Sequence, residues 1–248
     1  MKSYLDQVLS QIDGEFIQND PISIPHSFRC REDIEISGFF AAIFAWGRRD
    51  IIIRKTNELM LLMNNEPYQF IRNYTPSDFQ KINGFKHRTF NSSDLDFYIR
   101  ALKQVYQDHS SLESLFKGDL KAETIEGHLI HFYQTMSTIV PLESRNLKHI
   151  STPRSKSACK RLCMFLRWMV REDEIDFGIW KTIKPNQLVI PLDVHVMNVA
   201  KKYAILPENQ KPSWQTAIEL TNYLKKWCAE DPIKYDLALF SLGLNSRQ

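Results

Sequence analysis

The chain has 248 residues, 43% of them hydrophobic and 25% charged, a balance that suits one large folded domain or two lobes and excludes wholesale disorder. Only eight residues are glycine and neither GxGxxG nor GxxxxGK[ST] occurs, so a fold that cradles nucleotide phosphates on a glycine-rich loop is disfavoured. The net charge of +3 does not require a polyanionic partner, although a protein of this size has room for a local basic face.

In chain order the pattern is helical. Residues 32–46 (EDIEISGFFAAIFAW) are apolar nearly all round, which predicts a helix buried on every side. Asp50 stands where it caps the next helix, in which Ile51, Lys55, Leu59, Leu62 and Met63 keep the helical period until Pro67 ends it. Thr75-Pro76 reads as a cap followed by proline at the first helical position. A further start at Asn91-Ser92-Ser93 leads into the stripe Leu95, Ile99, Leu102 and Tyr106. Residues 122–138 repeat the pattern with Ile125, Leu129, Phe132 and Met136, and Pro141 stops it. A polar stretch over 142–156 leads to a strong helix over 156–171 and an acidic loop from Glu172 to Asp176. A short extended run from Leu188 to Leu192 precedes a helix opening at Asp193. Helices over 213–228 and about 232–242 close the chain. Few strands are expected, and the class is all-α.

Cys30, Cys159, Cys163 and Cys228 match neither a CxxC redox motif nor a common zinc spacing, which predicts reduced thiols in a cytoplasmic protein. The longest apolar run, Phe39 to Trp46, falls far short of the about 20 residues a membrane span needs, and the N-terminus has no signal-peptide core. His128 and His131 share a helix face near Glu126, and Asp193 stands two residues before His195. Neither set has an evident third ligand, so no metal and no cofactor is expected.

Two segments carry chemistry. At about 100° per residue, the helix over 156–171 places Ala158, Leu162, Phe165 and Met169 on one side and Lys156, Lys160, Arg167 and Arg171 on the other. That basic stripe is either a solvated face or one for nucleic-acid phosphates. In IPLDVHVMNVA, Pro191 keeps Ile190 extended and Asp193 falls at an N-cap, where its carboxylate meets free amides and the positive end of the helix dipole. Capping alone accounts for Asp193, and a packed side chain accounts for His195.

IPLDVHVMNVA looks like the string that closes the active-site motif of the helix-hairpin-helix/Gly-Pro-Asp superfamily of DNA glycosylases, and KSACKRLCMFL resembles the helix after that superfamily's hairpin. The wider set FFAAIFAWGRR, KHRTFN, SACKRLCMFLRWMVR, IPLDVHV and DPIKYDLALF is similar to a prokaryotic family of unknown function related to it, with the 8-oxoguanine glycosylases, including the archaeal type, as the nearest characterised branch. Two departures stand out: the stretch from His149 to Lys156 lacks the hairpin's usual glycines, and no C-terminal cysteine cluster is present.

The resemblance implies a two-lobed helical glycosylase-like fold with a degenerate helix-hairpin-helix. One lobe is expected over 31–175 and the other over 1–30 with 176–248, with a lysine facing Asp193 across the cleft. It implies Lys156 or Lys160 as an amine nucleophile, Asp193 as the catalytic aspartate that stabilises positive charge on the sugar and shuttles protons, and DNA as partner; a monomer is the favoured state. The expected function is excision of a damaged base, foremost an oxidised purine, with strand nicking through a lysine Schiff base. Arg48, Arg49, His87, Arg88, Arg154, Arg167, Arg171 and His195 are the expected nucleic-acid contacts. Phe39, Phe40, Phe44, Trp46, Trp168, Trp214 and Trp227 read as core before pocket. Two other readings remain open: a non-catalytic DNA-binding module of the same fold, and a helical scaffold for protein interaction.

Overall fold

The computed structural model describes residues 1–12, 14–119, 121–139 and 146–245. The chain is mainly helical and divides into two compact units, one of Met1–Gln18, Asp119–Gly127 and Thr152–Gln248, the other of Asn19–Gly118 and His128–Ser151. The first unit opens with α1 (Lys2–Leu9) and α2 (Gly14–Gln18).

The second unit is built around α3 (Arg31–Phe44), whose residues from Ile34 to Phe44 are all buried, as the all-round apolar pattern predicts. Glu35 is the costly exception inside that helix. It is stabilised by full satisfaction: Tyr106 Oη, Ser111 Oγ and the Leu112 amide donate to its carboxylate at 2.6–2.8 Å, and Arg31 Nε donates at 3.1 Å.

Around α3 lie α4 (Arg49–Leu62), α5 (Pro67–Asn73), the short α6 (Phe79–Ile82), α7 (Ser92–Asp108) and most of α8 (Glu126–Ile139). Asp50 does not cap α4; the N-cap is Arg48, and Asp50 lies in the first turn, where Arg48 Nη2 pairs with it at 2.8 Å. Asn91 does cap α7, accepting from the Ser93 and Asp94 amides while the Asp94 carboxylate takes the Asn91 amide. The stripes Leu95, Ile99, Leu102 and Ile125, Leu129, Phe132, Met136 are buried as patterned. Pro141 lies outside the described residues. A small hairpin, β1 (Lys86–His87) with β2 (Phe90–Asn91), was not evident from the pattern because each strand is only two residues long.

The chain then returns to the first unit for α9 (Lys160–Val170), α10 (Val194–Lys202), α11 (Trp214–Lys225) and α12 (Asp236–Asn245). The run from Leu188 to Leu192 forms no strand. Leu188, Val189, Ile190 and Leu192 are buried coil, and the Ile190 amide donates to Thr221 Oγ1 at 3.0 Å, which replaces a ladder partner. The packing boundaries differ from the expected 31–175 against 1–30 with 176–248, because Arg167 of α9 pairs with buried Asp236 and Arg171, just past α9, pairs with half-buried Asp231, which holds α9 with the C-terminal segment.

Candidate active site

The approach to α9 bends through two left-handed residues. Thr152 Oγ1 accepts from the Arg154 amide, Pro153–Ser155 form a tight turn, and Lys156 follows at φ +60°. Its amide donates to the Pro153 carbonyl at 2.8 Å, and its own carbonyl accepts from the Trp214 amide at 3.3 Å. Cys159 is left-handed as well, at φ +49°, and α9 starts only at Lys160. Lys156 is therefore exposed in the turn and does not share a helix face with Lys160, contrary to the expected stripe.

Asp193 does cap α10. Its Oδ1 accepts from the His195 amide at 2.8 Å and the Val196 amide at 2.9 Å. Both hydrogen bonds use the same oxygen; Oδ2 takes none among the described residues, and the residue is half-buried. Capping therefore occupies one carboxylate oxygen and leaves the other for a further hydrogen bond.

The residue that links these elements is Asp236, at the first position of α12, buried to 4% exposure. Arg167 Nη1 donates to its Oδ2 at 2.5 Å, and Arg167 Nε reaches Asp176 at 3.3 Å. Burial pushes the Asp236 carboxyl up to about 6. Arg167 acts against the rise, the Asp193 carboxylate adds to it, and the Lys160 ammonium acts against it. Lys160 and Asp193 thus both lie near enough to Asp236 for their charges to alter its ionisation, within a single unit rather than on opposite lobes. Lys160 is half-buried and forms no salt bridge among the described residues. The Cys163 thiol, fully buried close by, is pushed well above its ordinary value by burial, then by Cys159 and Asp236.

Several expected phosphate contacts are corrected. Arg167 and Arg171 are buried, at 3% and 7% exposure, because carboxylates neutralise them from within. Arg171 pairs with Asp173, Asp176 and Asp231 at 2.5–2.9 Å. Burial works against its charge, but hydrogen bonding to Asp231 and the nearby carboxylates outweigh it and hold the guanidinium above its ordinary value. The acidic loop from Glu172 to Asp176 supplies part of their counter-charge, through Asp173 and Asp176. His87 is also buried, with Nε2 3.0 Å from the Phe44 carbonyl that accepts from it. His195 packs α10 on α12: its Nδ1 lies 3.2 Å from the Gly243 carbonyl and its ring meets Phe240 edge-on at 5.5 Å. Gly243 is required there, since a Cβ would come 2.7 Å from that of His195.

The remaining cations differ in availability. Arg48 is exposed but paired with Asp50, and Arg49 donates to the Asn19 carbonyl at 3.4 Å. Arg154 and Arg88 are exposed, and neither pairs with a carboxylate among the described residues. Phe39, Phe40, Phe44, Trp168 and Trp214 are buried, as core. No group of three or more His, Cys, Asp or Glu among the described residues is placed to hold a metal ion, and no helix among them is long and apolar enough to cross a membrane. The sequence does not mark Asp236, whose only local signal, an acid before the apolar run LALF, is that of an ordinary helix start.

A helical protein with a lysine, a cap aspartate and a second, buried carboxylate is the class these observations define. Residues 20–245 match the family model described as "Protein of unknown function (DUF2400)", and the chain belongs to that family. No curated protein and no solved structure matches it.

Proposed function

We propose that this protein is a DNA glycosylase with associated lyase activity, acting on a damaged base and foremost on an oxidised purine. Its fold would be of the two-lobed glycosylase type, with the turn from His149 to Cys159 as a degenerate hairpin. Left-handed backbone at Lys156 and Cys159 gives that turn a shape glycine usually supplies.

The observation that carries the reading is that Asp193, capping α10 through one oxygen with the other open, and half-buried Lys160, at the first position of α9, belong to one compact unit, and both charges are felt at Asp236. Lys160 is the nucleophile in this reading, since Lys156 lies outside α9. The neutral amine attacks C1′ of the nucleotide, the C1′–N bond breaks, and the base leaves with a proton. The sugar ring then opens to an imine between Lys160 Nζ and C1′. Asp193 Oδ2 faces the positive charge that develops on the sugar and relays protons. An ordinary lysine is protonated at neutral pH, so Lys160, which is half-buried and reaches solvent, must first give up a proton to water.

Exposed Arg88, Arg154 and Lys156 favour a DNA partner even if the chemistry were absent, which is the non-catalytic reading. The four free cysteines accord with a cytoplasmic protein. The test is borohydride trapping on duplex oligonucleotides carrying single oxidised bases or an abasic site. A covalent protein–DNA adduct is expected. DNA binding with no adduct on any lesion would leave the non-catalytic module, and no salt-dependent DNA binding would leave the scaffold.

A further inference from the structure

The hairpin of the second unit holds an arginine where the backbone calls for glycine. β1 and β2 are joined by Arg88-Thr89, and Arg88 takes φ +55°. In a two-residue hairpin loop, a positive φ at the first position is normally met by glycine, and an L-residue there is strained by its Cβ. The side chain is placed with matching care. Its guanidinium carbon lies 4.5 Å from the centre of the Trp46 ring, the last residue of the apolar run. Beside Trp46, Gly47 stands at φ +106°, and a Cβ on it would come 2.1 Å from Arg88 Nη1. The cation therefore rests in a seat made by an indole face and a bare Cα. Arg88 stays exposed, and Lys86, exposed on the neighbouring strand, adds a second positive charge.

We propose that Trp46, Gly47 and Arg88 form a nucleic-acid contact, a plate on which an unpaired nucleobase stacks against the Arg88 guanidinium while its N–H groups take the adjoining phosphate. Guanidinium is flat, weakly hydrated and always charged, so it stacks on an aromatic ring and still donates in its own plane. Stacking on a preformed cation–aromatic pair suits any base, which makes the plate selective for unpaired strand rather than for sequence. Glycine at position 88 would relieve the positive φ but give up the cation–π contact, so local stability alone does not select arginine there. The inference rests on the nucleic-acid reading above but not on the chemistry at Lys160.

The test measures binding of a labelled single-stranded oligo-dT by anisotropy, beside thermal unfolding, for wild type, Arg88→Gly, Arg88→Lys and Lys160→Ala. Arg88→Gly is expected to weaken binding about ten-fold, the order of one base stack, with the unfolding temperature unchanged, since the lost cation–π contact is offset by relief of the positive φ. Arg88→Lys keeps the charge without the flat face and is expected to weaken binding nearly as much. Wild-type affinity in Arg88→Lys would overturn the plate in favour of plain charge. Wild-type affinity in Arg88→Gly, with lower stability, would overturn it in favour of a purely structural stack. Borohydride adducts together with wild-type affinity in Arg88→Gly sink the plate and spare the glycosylase. Absence of adducts with Arg88-dependent oligo-dT binding sinks the glycosylase and spares the plate.

Discussion

Asp236 and Arg167 form a buried ion pair, Oδ2 to Nη1 at 2.5 Å, between the first residue of α12 and the middle of α9. The same guanidinium reaches Asp176, so one cation holds the acidic loop and the C-terminal helix to α9. Replacing it strands the buried Asp236 carboxylate and leaves Asp176 with Arg171 alone. Arg167→Met is expected to cost about 3–5 kcal/mol, the usual penalty for breaking a buried pair from one side. Urea denaturation measures it. A loss under about 1 kcal/mol would contradict the network.

The Asp236 carboxyl titrates near 6 in the folded chain, above its ordinary 3.8, with burial as the chief cause. Between those values the folded state binds more protons than the unfolded state. Stability is therefore expected to fall as pH rises from about 4 to 6, by about 3 kcal/mol for this group alone. Asp176, also raised by burial, works in the same direction. Unfolding of Asp236→Asn at the same series of pH values isolates the contribution: its slope through this window is expected to be shallower than that of the wild type.

Lys156 sits at φ +60° with its side chain in solvent. Lys156→Gly is expected to raise stability by up to about 1 kcal/mol, and Lys156→Val to lower it by a similar amount, because a β-branched residue tolerates that backbone least. Thermal unfolding of the pair checks it. A loss of stability in Lys156→Gly would mean that the side chain makes a contact the turn needs.

Glu35 offers a check inside the second unit. Glu35→Ala leaves the Tyr106 hydroxyl, Ser111 hydroxyl and Leu112 amide without their acceptor beneath α3. The expected cost is about 2–4 kcal/mol by denaturation, with nucleic-acid binding by the folded fraction unchanged.

Much of the helical architecture was legible because it rests on local signals. The all-round apolar stretch from Ile34 to Phe44 is a buried helix, Asn91 and Asp193 are caps, and the stripes of α7 and α8 face inward. The failures share one cause. A helical wheel shows which residues lie opposite the greasy face, but not whether other parts of the chain cover that side. The wheel puts Arg167 and Arg171 on an outward basic stripe, yet Asp176, Asp231 and Asp236, up to 69 positions away along the chain, close over them. Lys156 was placed on α9 because nothing in its residue type signals a left-handed turn. Asp193 and Lys160 were singled out from their motifs, whereas Asp236 gains its character only from burial beside them.

The central claim is that the amine of Lys160, and not that of Lys156, works with Asp193. Borohydride trapping on abasic and oxidised-base duplexes with wild type, Lys160→Ala and Lys156→Ala tests it most directly. The account predicts an adduct in the wild type and in Lys156→Ala and none in Lys160→Ala, with all three proteins folded and binding DNA. An adduct that survives Lys160→Ala, or one lost only in Lys156→Ala, would contradict it.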